Sequence, residues 1–177
     1  LAPAAADERG VYSATGFGGV LLDNNFDQIL LLQPHTIRFE ESYLAGAGLT
    51  ARIWEPHDWI DVEVEAQLVR HFGAQTHWEV NAPIVTGRWT AFPWNDWLDT
   101  SAAFGLGLSF ASEEPKREKI NIGTTEATVA YWMIELDFET PVEGWRAIGR
   151  VHHRSTAFGA FGEEGGSNAF TVGLRRF

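Results

Sequence analysis

Residues 60–68 read Ile60-Asp61-Val62-Glu63-Val64-Glu65-Ala66-Gln67-Leu68, apolar at every even position and polar at every odd one. A period of two marks a β-strand with two unlike environments. The alternation returns where Ala102, Phe104, Leu106, Leu108 and Phe110 interleave with Ser101, Ala103, Gly105, Gly107 and Ser109. It returns again where Ala130, Trp132, Ile134, Leu136 and Phe138 interleave with Tyr131, Met133, Glu135 and Asp137. Outward from these segments the pattern predicts strands over 10–22, 42–54, 59–72, 77–91, 100–112, 127–139, 145–156 and 167–177. Turn-forming stretches separate them, among them Glu55-Pro56-His57-Asp58, Gly73-Ala74-Gln75, Pro93 to Asp99 and Thr140-Pro141-Val142-Glu143-Gly144. Eight antiparallel strands are the number that closes a small barrel. Pro83 inside the fourth strand forfeits a ladder hydrogen bond, so a bulge is expected there. Residues 23–40, with Ile29 to Leu32, fall outside this count and read as a loop carrying an extra helix.

Composition sets the outer bounds. The chain has 177 residues, which fits one domain, and a formal charge of −11, which argues against a nucleic-acid partner. With 45% hydrophobic and 21% charged residues it is too apolar to be disordered. It has no cysteine, which removes disulfides, thiolate metal sites and cysteine nucleophiles. No run approaches the ~20 apolar residues of a spanning helix, but a membrane barrel hides from that test because its strands alternate. Leu1 to Ala6 read Leu-Ala-Pro-Ala-Ala-Ala before the charge of Asp7. That is either the small-residue tail of a secretory signal or a plain Ala-rich terminus. Residues 1–9 are therefore set apart from a single barrel domain over 10–177.

Alternation alone does not say which face meets water. A soluble, lipocalin-like carrier is apolar inside; an outer-membrane barrel is apolar outside. Three features favour the eight-stranded antiparallel outer-membrane β-barrel. Numbering the turns alternately puts Trp54, Trp59, Trp89, Trp94, Trp97 and Trp145 at one end, six of the eight tryptophans, as an interfacial girdle. Asp61, Glu63, Glu65, Glu135 and Asp137 are matched by Arg146, Arg150 and Arg154, charges that pair across a closed lumen. The last strand closes on Phe177. With the girdle at the periplasmic end, the connections 23–41, 112–126 and 157–166 face outward. Of these, Ser112-Glu113-Glu114-Pro115-Lys116-Arg117-Glu118-Lys119 reads as a solvated charged loop.

The seventh strand carries the candidate chemistry. Arg146, Ile148, Arg150, His152 and Arg154 share one face; Trp145, Ala147, Gly149, Val151, His153 and Ser155 share the other. Each arginine would cost roughly 2–4 kcal/mol near the bilayer midplane, so the arginine face lines the lumen. His153 and Ser155 then face lipid, two positions apart on one face, the spacing at which an imidazole serves a serine as general base. Glu163 and Glu164 in the following loop are candidates to orient the imidazole, with Glu164 slightly preferred. Elsewhere, His71 and His77 straddle a turn without a carboxylate spacing that completes a metal site. Gly16-Phe17-Gly18-Gly19 lies in a strand and is no phosphate loop. Glu63 and Glu65 read as salt-bridged core rather than an acid–base pair.

The stretch Arg150-Val151-His152-His153-Arg154-Ser155, its loop to Asn168 and a final strand ending in Phe resembles the outer-membrane lipid A 3-O-deacylases. The segments Glu65 to Gly73, His77 to Asn81 and Ser101 to Ser109 resemble proteins grouped with them, so the likeness spans most of the chain from Gly10 onward. The resemblance implies a barrel whose outer wall carries a serine, a histidine and a glutamate. These hydrolyse the ester that holds a 3-hydroxyacyl chain on lipid A, without a cofactor. It implies Ser155 as nucleophile, His153 as base, lipid A or lipopolysaccharide as substrate and the outer membrane as location. There are departures. The family follows its serine with Asn-Ala-Gly, where this chain has Thr156-Ala157-Phe158, so oxyanion support falls to Thr156 and Ala157, with Asn168 as a replacement amide. The family glutamate comes about a dozen residues after the serine, where this chain has Ser167, while Glu163 and Glu164 arrive earlier. The last strand, Val172-Gly173-Leu174-Arg175-Arg176-Phe177, lacks the aromatic two before its terminal Phe. The rival expectation is a non-catalytic outer-membrane barrel of the same fold, with a structural or binding role.

Overall fold

The computed structural model describes residues 10–23, 34–122, 126–162 and 165–177. Eight strands form one closed antiparallel barrel in sequence order: β1 (Tyr12–Leu22), β2 (Phe39–His57), β3 (Ile60–Gly73), β4 (Trp78–Trp89), β5 (Thr100–Ala111), β6 (Thr128–Glu139), β7 (Trp145–Ser155) and β8 (Gly166–Arg176). Closure comes from β1 pairing with β8, Gly16 opposite Leu174, which leaves no edge strand. The expected boundaries differ from these by a few residues at most. In the segment 23–40, Pro34–Thr36 make a single 3-10 turn. Residues 1–9 and 24–33, on which the signal remnant and most of the loop helix were placed, lie outside the described residues.

The bulge at Pro83 is present. Glu65 pairs with Ile84 and Gln67 with Asn81, so β4 spends one more residue than β3 over that interval. The same irregularity appears against β5, between Asn81 and Ile84. It drives the Pro83 carbonyl toward β5, where a Cβ on Gly107 would sit 2.3 Å from it. Only glycine fits there.

The strands face as their alternation requires. Asp61, Glu63, Glu65 and Gln67 of β3 are buried, as are Glu135 and Asp137 of β6 and Arg146, Arg150 and Arg154 of β7. Leu49, Leu68, Val85, Phe104, Leu106, Leu136, Phe170, Val172 and Leu174 are exposed on the outer wall. This is the inverse of a soluble carrier barrel: the polar residues are inside and the apolar ones outside. All six tryptophans assigned to one end are exposed, around the connections 58–59, 90–99 and 140–144. Among the described residues no helix is long and apolar enough to cross a membrane, which says nothing against a barrel that crosses with strands.

The lumen is a filled interior. Glu135 is reached by Arg88 Nη2 at 2.8 Å, Arg150 Nη2 at 2.7 Å and Arg175 Nη2 at 2.8 Å. Arg88 Nε also reaches Glu63 at 2.9 Å, and Arg150 Nη1 reaches Glu65 at 3.1 Å. Asp137 pairs with Arg146 and with Arg175. Glu63 and Glu65 are thus salt-bridged core. Arg88 and Arg175 belong to the network although their strands showed no clean alternation of charge. Phe17, Leu44, Val69 and Ile148 fill the space beside the ion pairs, with the Arg150 guanidinium 5.2 Å from the Phe17 ring.

The charged segment 112–119 is not a merely solvated loop. It folds into a short helix, α1 (Lys116–Ile122), whose Glu118 is 2% exposed. Glu118 accepts from Arg154 Nε at 3.0 Å and from Ser167 Oγ at 2.7 Å, while Arg117 Nε reaches Glu40 at 2.7 Å. The physical reason is Arg154. It ends the arginine row at the outer mouth and needs an anion that the strands there supply only through Glu79, 3.5 Å away.

Glu135 is the common counter-ion of three buried guanidinium groups. Glu135→Gln will therefore lower the stability of the detergent-folded barrel by about 3–5 kcal/mol, the cost of breaking a buried ion pair. Urea titration against Glu113→Gln, a change in the exposed loop with no expected effect, measures it.

Candidate functional site

Strand β7 brings His153 and Ser155 to the outer wall near the end opposite the girdle. Its neighbours then decide what each side chain meets. In the ladder, Trp132 of β6 lies opposite His153 on one side and Asn168 of β8 on the other. The Trp132 ring lies 4.2 Å from the imidazole, centroid to centroid, at 38°. Asn168 Oδ1 accepts from His153 Nδ1–H at 2.6 Å. That bond fixes the tautomer: with the proton on Nδ1, Nε2 is the basic nitrogen. The imidazole is thus held from both flanks.

Ser155 has the opposite surroundings. Its ladder neighbours are Ala130 and Gly166, the smallest side chains available, so the hydroxyl is half-buried with low walls. Its Oγ accepts the N–H of Ala157 at 3.1 Å. The chain reverses at that point through two residues with positive φ, Ala157 at 51° and Phe158 at 56°. For residues carrying a Cβ this conformation costs roughly 1–2 kcal/mol each. The base of the turn is fastened by Thr156, whose N–H donates to Gly165 O at 3.0 Å and whose Oγ1 accepts from Gly165 N at 2.9 Å.

These contacts reassign the expected support residues. Thr156 is buried with its N–H taken up by Gly165, so it staples the loop and is no oxyanion donor. Asn168 engages the imidazole instead of standing in for an oxyanion amide. Ala157 is the one of the three whose N–H lies beside the serine. Glu163 and Glu164 lie outside the described residues. Ser167, at the family glutamate's spacing, faces the lumen and bonds Glu118. Parity explains the substitution: one residue further on, Asn168 turns outward onto His153. The sequence showed Asn168 only as a nearby amide, because its partner depends on the β7–β8 register. The contact of Trp132 with the imidazole was missed for the same reason.

Below the histidine the outer face of β7 is a trough. Its floor is Val151, Gly149 and Ala147; one bank is Ile134, Leu136 and Phe138 of β6, the other Phe170, Val172 and Leu174 of β8. At Gly149 an added Cβ would meet nothing within 4 Å. At about 3.3 Å per residue the line from Ser155 to Ala147 runs roughly 26 Å along the strand.

The histidines of the outer lumen form a different arrangement. The fold supplies the carboxylate that spacing did not reveal: His71, His77 and Glu79 have ligand atoms within 4.8 Å of one another. The His71 and His77 rings, however, stack nearly parallel at 12° with centroids 4.1 Å apart, so their in-plane lone pairs do not converge on one point. Glu79 already accepts from His71 and His152, each at 2.8 Å, and Arg154 supplies the positive charge. Tyr131 OH completes the chain at 3.2 Å from His152 Nδ1. The donors fit an interior hydrogen-bond network better than a metal centre.

No protein-family model and no curated protein sequence matches the chain. A solved structure does: that of the outer membrane enzyme PagL, with a TM-score of 0.59 and 13% identity over 93% of this chain and 99% of that one. The chain has the fold of that barrel over almost the whole length of both.

If Asn168 sets the tautomer, nitrogen NMR of histidine-labelled protein will show His153 protonated at Nδ1. Asn168→Ala will move that proton toward a mixture of tautomers without altering the His71 and His152 signals. An unchanged His153 signal in the variant would sink the assignment.

Proposed function

We propose that this protein is an outer-membrane ester hydrolase that removes the 3-O-linked acyl chain of lipid A, working on the lipid-facing wall of its barrel. The observation that carries this reading is the imidazole of His153, locked by Asn168 and Trp132 beside a low-walled serine, above an apolar trough. A polar pair on an otherwise apolar outer wall needs a reason, and an ester carbonyl at the headgroup boundary supplies one. The likeness to an outer membrane enzyme supports the setting.

In this mechanism His153 Nε2 takes the proton of Ser155 as its Oγ attacks the 3-O-acyl carbonyl. Negative charge moves onto the carbonyl oxygen, and the Ala157 N–H, which donates to Ser155 Oγ before attack, turns to that oxygen as Oγ bonds to the carbon. As the carbonyl–sugar oxygen bond breaks, the imidazolium gives its proton to the departing sugar oxygen, leaving an acyl-Ser155 ester that water cleaves by the same base. Asn168 holds the ring throughout but, being neutral, adds no charge opposite the imidazolium. Glu163 or Glu164 supplies that charge in the reading taken from the family. No cofactor takes part. The released chain lies in the β7 trough, so substrate arrives by lateral diffusion in the outer leaflet.

Mass spectrometry of lipid A incubated with detergent-refolded protein will show loss of one 3-hydroxyacyl chain. Ser155→Ala and His153→Ala will each reduce the rate roughly 10³-fold or more. No loss of acyl chain by a correctly folded wild type, over several lipid A types, would leave the non-catalytic barrel as the reading.

Among orienting residues, Asn168→Ala will cost about 10²-fold, as expected when a general base is mispositioned. Comparing Glu163→Gln with Glu164→Gln then identifies which, if either, carries the counter-charge. Gly149→Leu will fold normally yet slow long-chain substrates roughly tenfold by blocking the trough.

A further inference from the structure

Phe158 is the most exposed large hydrophobic side chain among the described residues, at 103% of its reference area, and it follows the proposed nucleophile by three positions. It also holds a positive φ of 56°, directly after Ala157 at 51°. Both features are unfavourable for a protein considered alone. An aromatic ring stands wholly outside the protein on a backbone that disfavours any residue but glycine. The turn is nonetheless fixed: Phe161 N–H donates to Thr156 O at 3.0 Å, Ala160 N–H to Ala157 O at 3.2 Å, and Thr156 is tied to Gly165. The ring is presented by a stapled turn.

The composition of the loop points to its surroundings. Residues 156–162 read Thr-Ala-Phe-Gly-Ala-Phe-Gly, seven uncharged positions ahead of Glu163 and Glu164, whereas the neighbouring connection 112–119 carries six charged residues in eight. An apolar turn beside a charged one, both at the same end of the barrel, implies two different media. The charged turn lies over the lumen mouth, bonded to Arg154; the apolar turn leaves β7 directly after Ser155, the end of the strand that carries His153.

From this we infer that Phe158 is inserted among the acyl chains of the outer-leaflet glycolipid and positions the acyl ester beside Ser155. Resting on the deacylase reading, the inference deepens it by naming the residue that grips the lipid. Phe158 is a positioning residue in this scheme, since its ring meets the chain and not the reacting atoms.

The test separates contact from catalysis. The photocrosslinking residue p-benzoylphenylalanine replaces Phe158 in a Ser155→Ala background, in vesicles containing lipopolysaccharide. The same replacement at Phe170 on the outer wall is the positive control, and at Glu113 in the charged loop the negative one. Illumination is expected to join lipid A to position 158 as it does at 170, and not at 113. Adducts at 170 but none at 158 would overturn the inference, whether or not the wild type cleaves any ester. Lipid adducts at 158 with a wild type inactive on every ester would leave the lipid contact standing and remove the deacylase reading.

Phe158→Gly supplies the second arm, because glycine relaxes the positive φ and the variant folds at least as well by urea titration. It is expected to lose roughly tenfold in kcat/KM on vesicle-borne lipid A, with hydrolysis of a short soluble ester unchanged. Equal effects on both substrates, or none on either, would overturn the positioning role.

Discussion

The arginines of the lumen are the constraint from which the rest of this structure follows. Arg88, Arg146, Arg150, Arg154 and Arg175 are all buried, and a guanidinium group in a dry interior is tolerable only beside carboxylates with good geometry. Glu63, Glu65, Glu79, Glu118, Glu135 and Asp137 provide them from other strands and one loop. Because side chains alternate along a strand, sending three arginines of β7 inward sends His153 and Ser155 outward. The charge network inside and the polar pair outside are two faces of one parity decision.

That decision was legible in the sequence because it rests on local spacing. Three alternating segments, six tryptophans falling on alternate turns and three arginines at even positions of one strand were enough for the barrel and for which face points inward. What stayed hidden depends on register between strands. Asn168 meets His153 because β7 and β8 are joined by a connection of a particular length, and residue spacing alone does not give that pairing. Likewise Glu79 joins His71 and His152 across the lumen, from β4 to β3 and β7. The helix α1 was concealed by its own composition: a run of charges reads as solvated until one knows that Arg154 waits beneath it.

Arg154 also ties the outer loops to the strand that carries the polar pair. It lies between His153 and Ser155 in the chain and points the other way, toward Glu118 of α1, Ser109 of β5 and the carbonyl of Glu126. Ser167, next to Asn168, bonds the same Glu118. The two strands that position the imidazole are therefore fastened from the lumen side by a single carboxylate of a loop. Rigidity on the outer wall is imposed through the wall, by residues that never see the outer medium.

The six tryptophans at one end have a consequence for depth. Amphipathic rings settle at the boundary between hydrocarbon and water, so in a bilayer they would pin the barrel vertically from that end. Ser155 stands at the far end of β7, eleven residues long, from Trp145 in the girdle. Its height is a fixed rung counted up from that anchor, independent of how thick the surrounding bilayer is. A thicker leaflet would draw the serine down among the acyl chains, and a thinner one would lift it into the sugars. The barrel would in this sense be a gauge with one end clamped, and the proposed function requires a membrane in which that rung falls level with the ester.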